Sequence, residues 1–311
     1  MKNNCLVILG PTASGKTKLA CELAYHLNGE IISADSRQVY KQLNIGTGKD
    51  LEEYVVNDKK INYHLIDSIE PGEQFYLHDF VRELKIAFDK INAENKLPII
   101  CGGTGLYLDA LQKDFSFTQI KENEALRKEL EILSKEELQI RLSNYKNEKL
   151  KDTDLNSKKR LIRAIEIADS LKNTKTELKN TELPYKPYYV GINVDIEKRK
   201  DLIYKRLLSR LDNGLIQEAE GLLKKGMTHE RLQFLGLEYK FLSNYLQNKI
   251  SKEELVIQLS TAINQFSKRQ MTWFRKMEKG IKINWLDKGV NAAELAKEIK
   301  TRTQFPLCEG G

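Results

Sequence analysis

Short apolar runs closed by glycine or polar turns alternate with helical stretches through the first hundred residues. Cys5–Leu9 (CLVIL) is wholly apolar and runs straight into Gly10, the pattern of a strand buried on both faces. Lys16–Leu27 reads as a helix that Asn28-Gly29 stops. Glu30–Ala34 (EIISA) is a second strand and Ile61–Ile66 is extended. Phe75–Asn92 places Phe80, Leu84, Phe88 and Ile91 on one helical face. Leu97–Cys101 (LPIIC) is a third buried strand, ended by Gly102-Gly103. This alternation predicts parallel βαβ units in a doubly wound sheet.

The pattern changes at Leu106. From there to Leu183 the chain has neither Gly nor Pro and is rich in Lys, Glu, Leu and Asn, with Ser134 and Glu137 spaced as a capping box. A helical insertion is expected here. Pro184 and Pro187 punctuate its end, and Tyr188–Val194 (YYVGINV) resumes the sheet. The last third is mainly helical. Ser251 and Glu254 start a helix that runs to about Met277, with Ile263, Phe266, Trp273, Phe274 and Met277 on one face and Lys268, Arg269, Arg275 and Lys276 on the other. Lys282–Leu286 reads as a strand, Ala292–Thr301 as a helix, and the tail beyond Pro306 as disordered. The fold class expected is α/β: a parallel sheet core over residues 1–113 and 185–311, carrying an inserted helical domain over 114–184.

Composition adds limits. The 311 residues suffice for one large domain or two modest ones. The net charge of +7, from 51 Lys and Arg against 44 Asp and Glu, suits an anionic partner without demanding one. No apolar run approaches the ~18 residues of a membrane helix. Residues Met1–Cys5 lead directly into a short strand, so no signal peptide is expected and the cytoplasm is the expected location. Cys5, Cys21, Cys101 and Cys308 lack paired spacing, and His26, His64, His78 and His229 show no metal pattern. The cysteines read as small buried side chains in a reducing compartment.

The strongest chemical signal is Gly10-Pro11-Thr12-Ala13-Ser14-Gly15-Lys16-Thr17, which matches G-x-x-x-x-G-K-[ST] between a strand and a helix. Such a loop turns backbone N–H groups onto phosphate oxygens. Lys16 adds a positive charge, and the Thr17 hydroxyl is a ligand for Mg²⁺. This makes the core a P-loop fold. The loop does not name its ligand: ATP is the usual one, and a prenyl diphosphate offers the same handle. Ligands of parallel sheets sit beyond the carboxyl ends of the strands. Two further segments reach that edge, Asp35–Tyr40 after the second strand and Gly102–Tyr107 after the third. Asp35 reads as a base, as an acid near a metal, or as a helix N-cap; Thr104 brings a hydroxyl on a glycine-rich turn. Asp67, after His64-Leu65-Ile66, ends another extended run and ranks lower.

These blocks together resemble tRNA dimethylallyltransferase of the bacterial type, the isopentenyl transferase that modifies adenosine beside the anticodon. GPTASGKT (10–17), ISADSRQVY (32–40), IGTGK (45–49), HLID (64–67), GGTGLYL (102–108), KKRLIRAIEI (158–167), Lys205-Arg206, Gly214-Leu215 and KRQMTWFRK (268–276) carry the resemblance in order along nearly the whole chain. The resemblance implies that Gly10–Thr17 holds the diphosphate of dimethylallyl diphosphate, with Mg²⁺ at Thr17. It implies catalytic roles for Asp35 as base, Thr104 in placing the amine and diphosphate, and Arg206 on the diphosphate. It further implies tRNA contacts at Asp35, Ser36, Arg37, Gln38, Thr104, Arg127, Lys159, Arg160, Leu161, Ile162 and Arg163. The acceptor implied is N6 of the adenosine 3′ to the anticodon (position 37) in tRNAs reading codons that begin with U, and the enzyme is expected as a cytoplasmic monomer.

The chain departs from many bacterial members at Gly236-Leu237-Glu238-Tyr239-Lys240, where those carry Gly-Tyr and then a basic residue. Glu238 thus stands where a tRNA contact is expected. Three rivals share the phosphate loop: prenylation of free AMP, ADP or ATP, an ATP-dependent small-molecule kinase, and a non-catalytic nucleotide- or RNA-binding module. The helical insertion and its basic residues favour tRNA over a free nucleotide. Asp35 and Thr104 beside an intact Lys16-Thr17 favour an enzyme over a binding module.

Overall fold

The computed structural model describes residues 3–113, 115, 117, 120, 122–145, 153–173, 183–303 and 305. The expected disordered tail and Cys308 lie outside these residues. Contacts divide the chain into one unit of Met1–Lys113 with Pro184–Gly311 and a second of Asp114–Leu183.

The first unit opens with β1 (Cys5–Leu9), α1 (Lys16–Leu27) and β2 (Gly29–Ser33). A small antiparallel pair, β3 (Val55–Val56) and β4 (Lys59–Lys60), precedes the short β5 (Tyr63–His64). Then come α2 (Leu77–Ala93), β6 (Leu97–Gly102) and α3 (Gly105–Asp109). Three helices belong to the second unit: α4 (Glu124–Glu131), α5 (Lys135–Ser143) and α6 (Lys158–Asn173). The first unit resumes with β7 (Pro187–Asn193), α7 (Ile196–Asp212), α8 (Leu215–Lys224), α9 (His229–Phe234) and α10 (Leu237–Leu246). It closes with α11 (Lys252–Met277), β8 (Ile283–Asp287) and α12 (Ala292–Thr303).

Six strands form one sheet in the order β5-β2-β6-β1-β7-β8, and every pairing in it is parallel. Ile31, Ile99, Leu6 and Tyr188 lie in one row across four strands. β1 is fully buried because helices cover both faces of the sheet, which explains its unbroken apolar run. On one face Leu6, Ile8, Ile31 and Ile99 pack with Leu19 and Leu23 of α1 and with Leu295 and Ile299 of α12. The second unit has its own core of Leu130, Leu138, Leu142, Leu161 and Ile165. Both expected capping boxes are present, Ser134 with Glu137 and Ser251 with Glu254.

The extended run expected over Ile61–Ile66 shrinks to two strand residues. Leu65 and Asp67 take positive φ (61° and 54°), which breaks the ladder just past His64. The apolar face expected of α11 also differs. Ser267 and Gln270 are buried on it, while Phe266 is 38% exposed.

At the amino end of β2, Glu30 is buried and accepts hydrogen bonds from Asn62 (2.8 Å) and Lys96 (2.6 Å), and its other oxygen meets His64 Nε2 at 2.8 Å. Burial alone would raise its pKa, but the bonds from Lys96, Asn62 and His64 outweigh that and hold it down at about 2. The folded value therefore lies below the ordinary 4.5, so Glu30 stabilises the fold above that pH, and its contribution disappears as the pH falls toward 2. Denaturant titrations at a series of pH values should show Glu30→Gln less stable than the parent at neutral pH and less sensitive to acid between 4.5 and 2. An unchanged acid slope would remove Glu30 from this role.

Candidate active site

Three neighbouring strands, β2, β6 and β1, deliver their carboxyl ends to one edge. After β1, Ala13 (φ 62°) and Gly15 (φ 84°) take left-handed conformations that curl the chain around to α1, and Gly15 caps that helix. Lys16 and Thr17 are thus its first residues. The ends of β2 and β6 are laced together: Ala34 N donates to Cys101 O (2.8 Å), Thr104 N to Ala34 O (3.2 Å) and Ser36 N to Thr104 Oγ1 (3.1 Å). Asp35 starts no helix. Its Oδ1 accepts from Arg37 N (2.9 Å) in the turn that follows, so the N-cap reading is corrected to a local turn. Gln270, buried on α11, completes the edge. Its Oε1 accepts from Thr12 N (2.9 Å) and its Nε2 donates to Gly103 O (3.0 Å), so one amide joins the phosphate loop to the glycine turn after β6.

A cavity of about 770 Å³ opens over these loops. Thr12, Ala13, Gly15, Lys16, Thr17, Asp35, Ser36, Arg37, Thr104 and Arg206 all line it. Gly10, Pro11 and Ser14 are buried behind the loop, and the Ser14 hydroxyl has no partner among the described residues. Burial lowers the pKa of Lys16, with Arg206 acting in the same direction and Asp35 and Asp50 opposing it. The Arg206 guanidinium is paired with the Asp50 carboxylate. Glu53 also lines the cavity; burial, and then the nearby Asp50, push its pKa up. The hydroxyl of Thr17 and the carboxylates of Asp35 and Asp50 are hard oxygen donors of the kind Mg²⁺ takes. Among the described residues no three His, Cys, Asp or Glu side chains form a metal cage. Such a donor set fits a cation that takes its remaining ligands from phosphate and water.

The facing wall is the loop over residues 44–50. Glu218 of α8 accepts from three successive backbone N–H groups, Asn44 (2.7 Å), Ile45 (2.8 Å) and Gly46 (2.9 Å), and from the Tyr239 hydroxyl (2.6 Å). Lys49 is fully buried, donating to Tyr40 O (2.8 Å) and Asn44 Oδ1 (2.9 Å) and pairing with Asp67. Asp67 is therefore a structural partner of the loop. Gln38, expected as an RNA contact, is buried, with its amide accepting from Ser33 Oγ (2.9 Å) and donating to Gly48 O (3.0 Å). It builds this wall from inside. Gly48 has φ 60°, and a Cβ there would overlap the Arg210 guanidinium, so a larger residue would be strained and would displace that side chain. Arg210 lies one turn beyond Arg206 on α7 and meets Glu238 at 3.5 Å. Burial, and then Arg206, lower the Arg210 pKa, while burial raises that of Glu238. The acidic residue at 238 is thus matched by a buried cation.

Within the second unit the expected RNA contacts separate. Leu161 and Ile162 are core side chains, which corrects their assignment as contacts. Arg127 and Arg163 hold the buried Glu166, at 2.7 Å and 3.6 Å, and Arg163 Nη2 also donates to Ile120 O (2.5 Å). Lys159 and Arg160 are exposed, and Arg160 pairs with Asp154 (2.7 Å). Of these three basic residues of α6, Lys159 and Arg160 stay at the surface while Arg163 turns toward Glu166.

A parallel sheet with a glycine loop after β1 and a cavity at its carboxyl edge defines a P-loop α/β protein. The profile of the IPP transferase family matches residues 38–277. The chain belongs to the IPP transferase family. It is 47% identical over 289 residues to tRNA dimethylallyltransferase 2 of Phocaeicola vulgatus, covering 92% of this chain and 93% of that one. It is 46% identical over 307 residues to tRNA dimethylallyltransferase 1 of Parabacteroides distasonis, covering 97% and 96%. Among solved structures it is similar to the tRNA isopentenylpyrophosphate transferase of Bacillus halodurans (TM-score 0.70, 32% identity, 98% and 97% of the two chains). It is also similar to a eukaryotic dimethylallyltransferase acting on tRNA (TM-score 0.74, 25% identity, 97% and 77%).

Gln270 carried no chemical signal in the sequence beyond its place within the KRQMTWFRK block. Removing its amide leaves Thr12 N–H and Gly103 C=O without their partner, a loss of ~1–3 kcal/mol. Gln270→Ala should lower both the unfolding free energy by that order and the affinity for inorganic diphosphate, read by denaturant titration and calorimetry. Parental diphosphate affinity in the variant would mean the loop holds its shape without this tie.

Proposed function

We propose that this chain transfers the dimethylallyl group of dimethylallyl diphosphate to N6 of the adenosine 3′ to the anticodon in tRNA. The observation that carries the reading is the convergence of the phosphate loop, Asp35, Thr104 and Arg206 on one cavity. The names of its relatives point the same way.

The exocyclic amine of adenine is a weak nucleophile, because its lone pair is shared with the ring. The allylic carbon must therefore gain positive character as its bond to the diphosphate oxygen breaks. Lys16, the N–H groups of the loop and Arg206, which line the cavity, stabilise in this reading the charge that collects on the departing diphosphate. Mg²⁺, held at Thr17 and by phosphate oxygens, would supply further neutralisation of that charge. As the carbon–nitrogen bond forms, the N6 proton becomes acidic and passes to the Asp35 carboxylate. Thr104, fixed through Ser36 N, orients the amine toward Asp35. The acceptor must be an unstacked base, since an adenine within a stem cannot enter the cavity. Arg37 lines the cavity with no hydrogen-bond or ion-pair partner for its guanidinium among the described residues, which suits it to an RNA phosphate. No described helix is long and apolar enough to cross a membrane. We place the reaction in the cytoplasm and assign it to a monomer.

Radiolabelled dimethylallyl diphosphate, Mg²⁺ and unmodified tRNA, with AMP as a parallel acceptor, test the assignment. Label should enter tRNA and not AMP; label in AMP alone would overturn the acceptor, and ATP turnover without label would overturn the chemistry. In the same assay Asp35→Ala should lose ~10²–10⁴-fold in turnover while still binding tRNA. Turnover equal to the parent would exclude Asp35 as the base.

A further inference from the structure

Phe234, the last residue of α9, lines the cavity yet is 52% exposed, which places it at the mouth. An apolar ring at a wet rim is poorly placed for packing. Its neighbours are cations: Arg231 lies 5.0 Å and Arg37 5.6 Å from the ring centroid. The two arginines differ. Arg231 is fixed, donating through Nε to Pro71 O (2.7 Å) and through Nη2 to Glu73 O, and it also covers Tyr40 at 5.8 Å. The Arg37 guanidinium has no such anchor among the described residues, and its contact is the Phe234 ring.

The arrangement joins an exposed aromatic surface, a guanidinium that locks it in place and a second guanidinium available for an anion. Single-stranded RNA presents both matching chemistries, flat bases and phosphates. We propose that Phe234 is a stacking platform for an unpaired nucleobase next to the acceptor adenine, with Arg37 taking the phosphate between them. Arg231 is the positioning residue of this subsite. The inference rests on the assignment of tRNA as acceptor and adds a residue that grips the RNA outside the reacting atoms. Recognition of the flanking base would make the enzyme select an acceptor by its loop, beyond the adenine itself.

Steady-state kinetics of transfer to an anticodon stem-loop RNA test it. Stacking on one aromatic ring is worth ~1–3 kcal/mol, which at ~1.4 kcal/mol per tenfold is about 5- to 140-fold. Phe234→Leu keeps the apolar bulk and removes the aromatic face. It should raise KM for the RNA by that factor, with kcat and KM for dimethylallyl diphosphate within about twofold of the parent. Phe234→Tyr should restore the parental KM. With 2-aminopurine placed in turn on either side of the acceptor, binding should quench one of the two labels in the parent and the Tyr variant but not in the Leu variant. Failure of the parent to modify any RNA would remove the acceptor assignment itself. A parent that modifies RNA beside a Leu variant with unchanged RNA KM would overturn the platform alone. A change confined to the donor's KM would also overturn it, marking Phe234 as a wall for the prenyl chain.

Discussion

Parallel pairing of β6 with β2 on one side and β1 on the other decides where the groups of the active site stand. The row Ile31–Ile99–Leu6 sets the relative height of three strand ends, so Asp35, Thr104 and the phosphate loop emerge side by side. The closeness of two of those ends has a steric condition at Gly102. A Cβ there would overlap the backbone of Ala34, the residue through which β2 and the turn after β6 exchange hydrogen bonds. Glycine in this run therefore sets the separation between Asp35 and Thr104 as well as ending a strand.

The opposite wall is organised by charge. Lys49 with Asp67, Arg206 with Asp50 and Arg210 with Glu238 form three oppositely charged pairs around a single loop. Desolvating such groups is costly, and leaving one unpaired costs more. The Asp50 carboxylate already balances the Arg206 guanidinium, so the wall presents no uncompensated cation there. Glu238 plays the same part for Arg210, which gives the acidic residue in this family-divergent segment a physical reason to be present.

Legibility in the sequence followed the range of the interactions. Five of the six sheet strands stand out because each is a short apolar run between polar stops, and the capping boxes show because all their atoms lie within four residues. The phosphate loop was readable for the same reason. Gln270 was not, because its partners lie 258 and 167 residues away and nothing local marks it. Glu218 was hidden in the same way, its backbone partners lying 172 to 174 residues away. Periodicity misplaced Phe266 because it reports which side of a helix a residue occupies and not whether a cavity opens there. Leu161 and Ile162 were drawn into an RNA-contact run by their neighbours, although their apolar side chains belong to a core.

The tie between Thr12 and Gln270 has a consequence for how the protein is made. The phosphate loop leaves the ribosome 258 residues ahead of the amide that braces it. β1, at the centre of the sheet, also waits for β7 before its second edge is covered. Until β7 is made, the glycine-loop sequence has neither the second neighbour of β1 nor its brace. The tie that braces the loop thus forms only once α11 has been made.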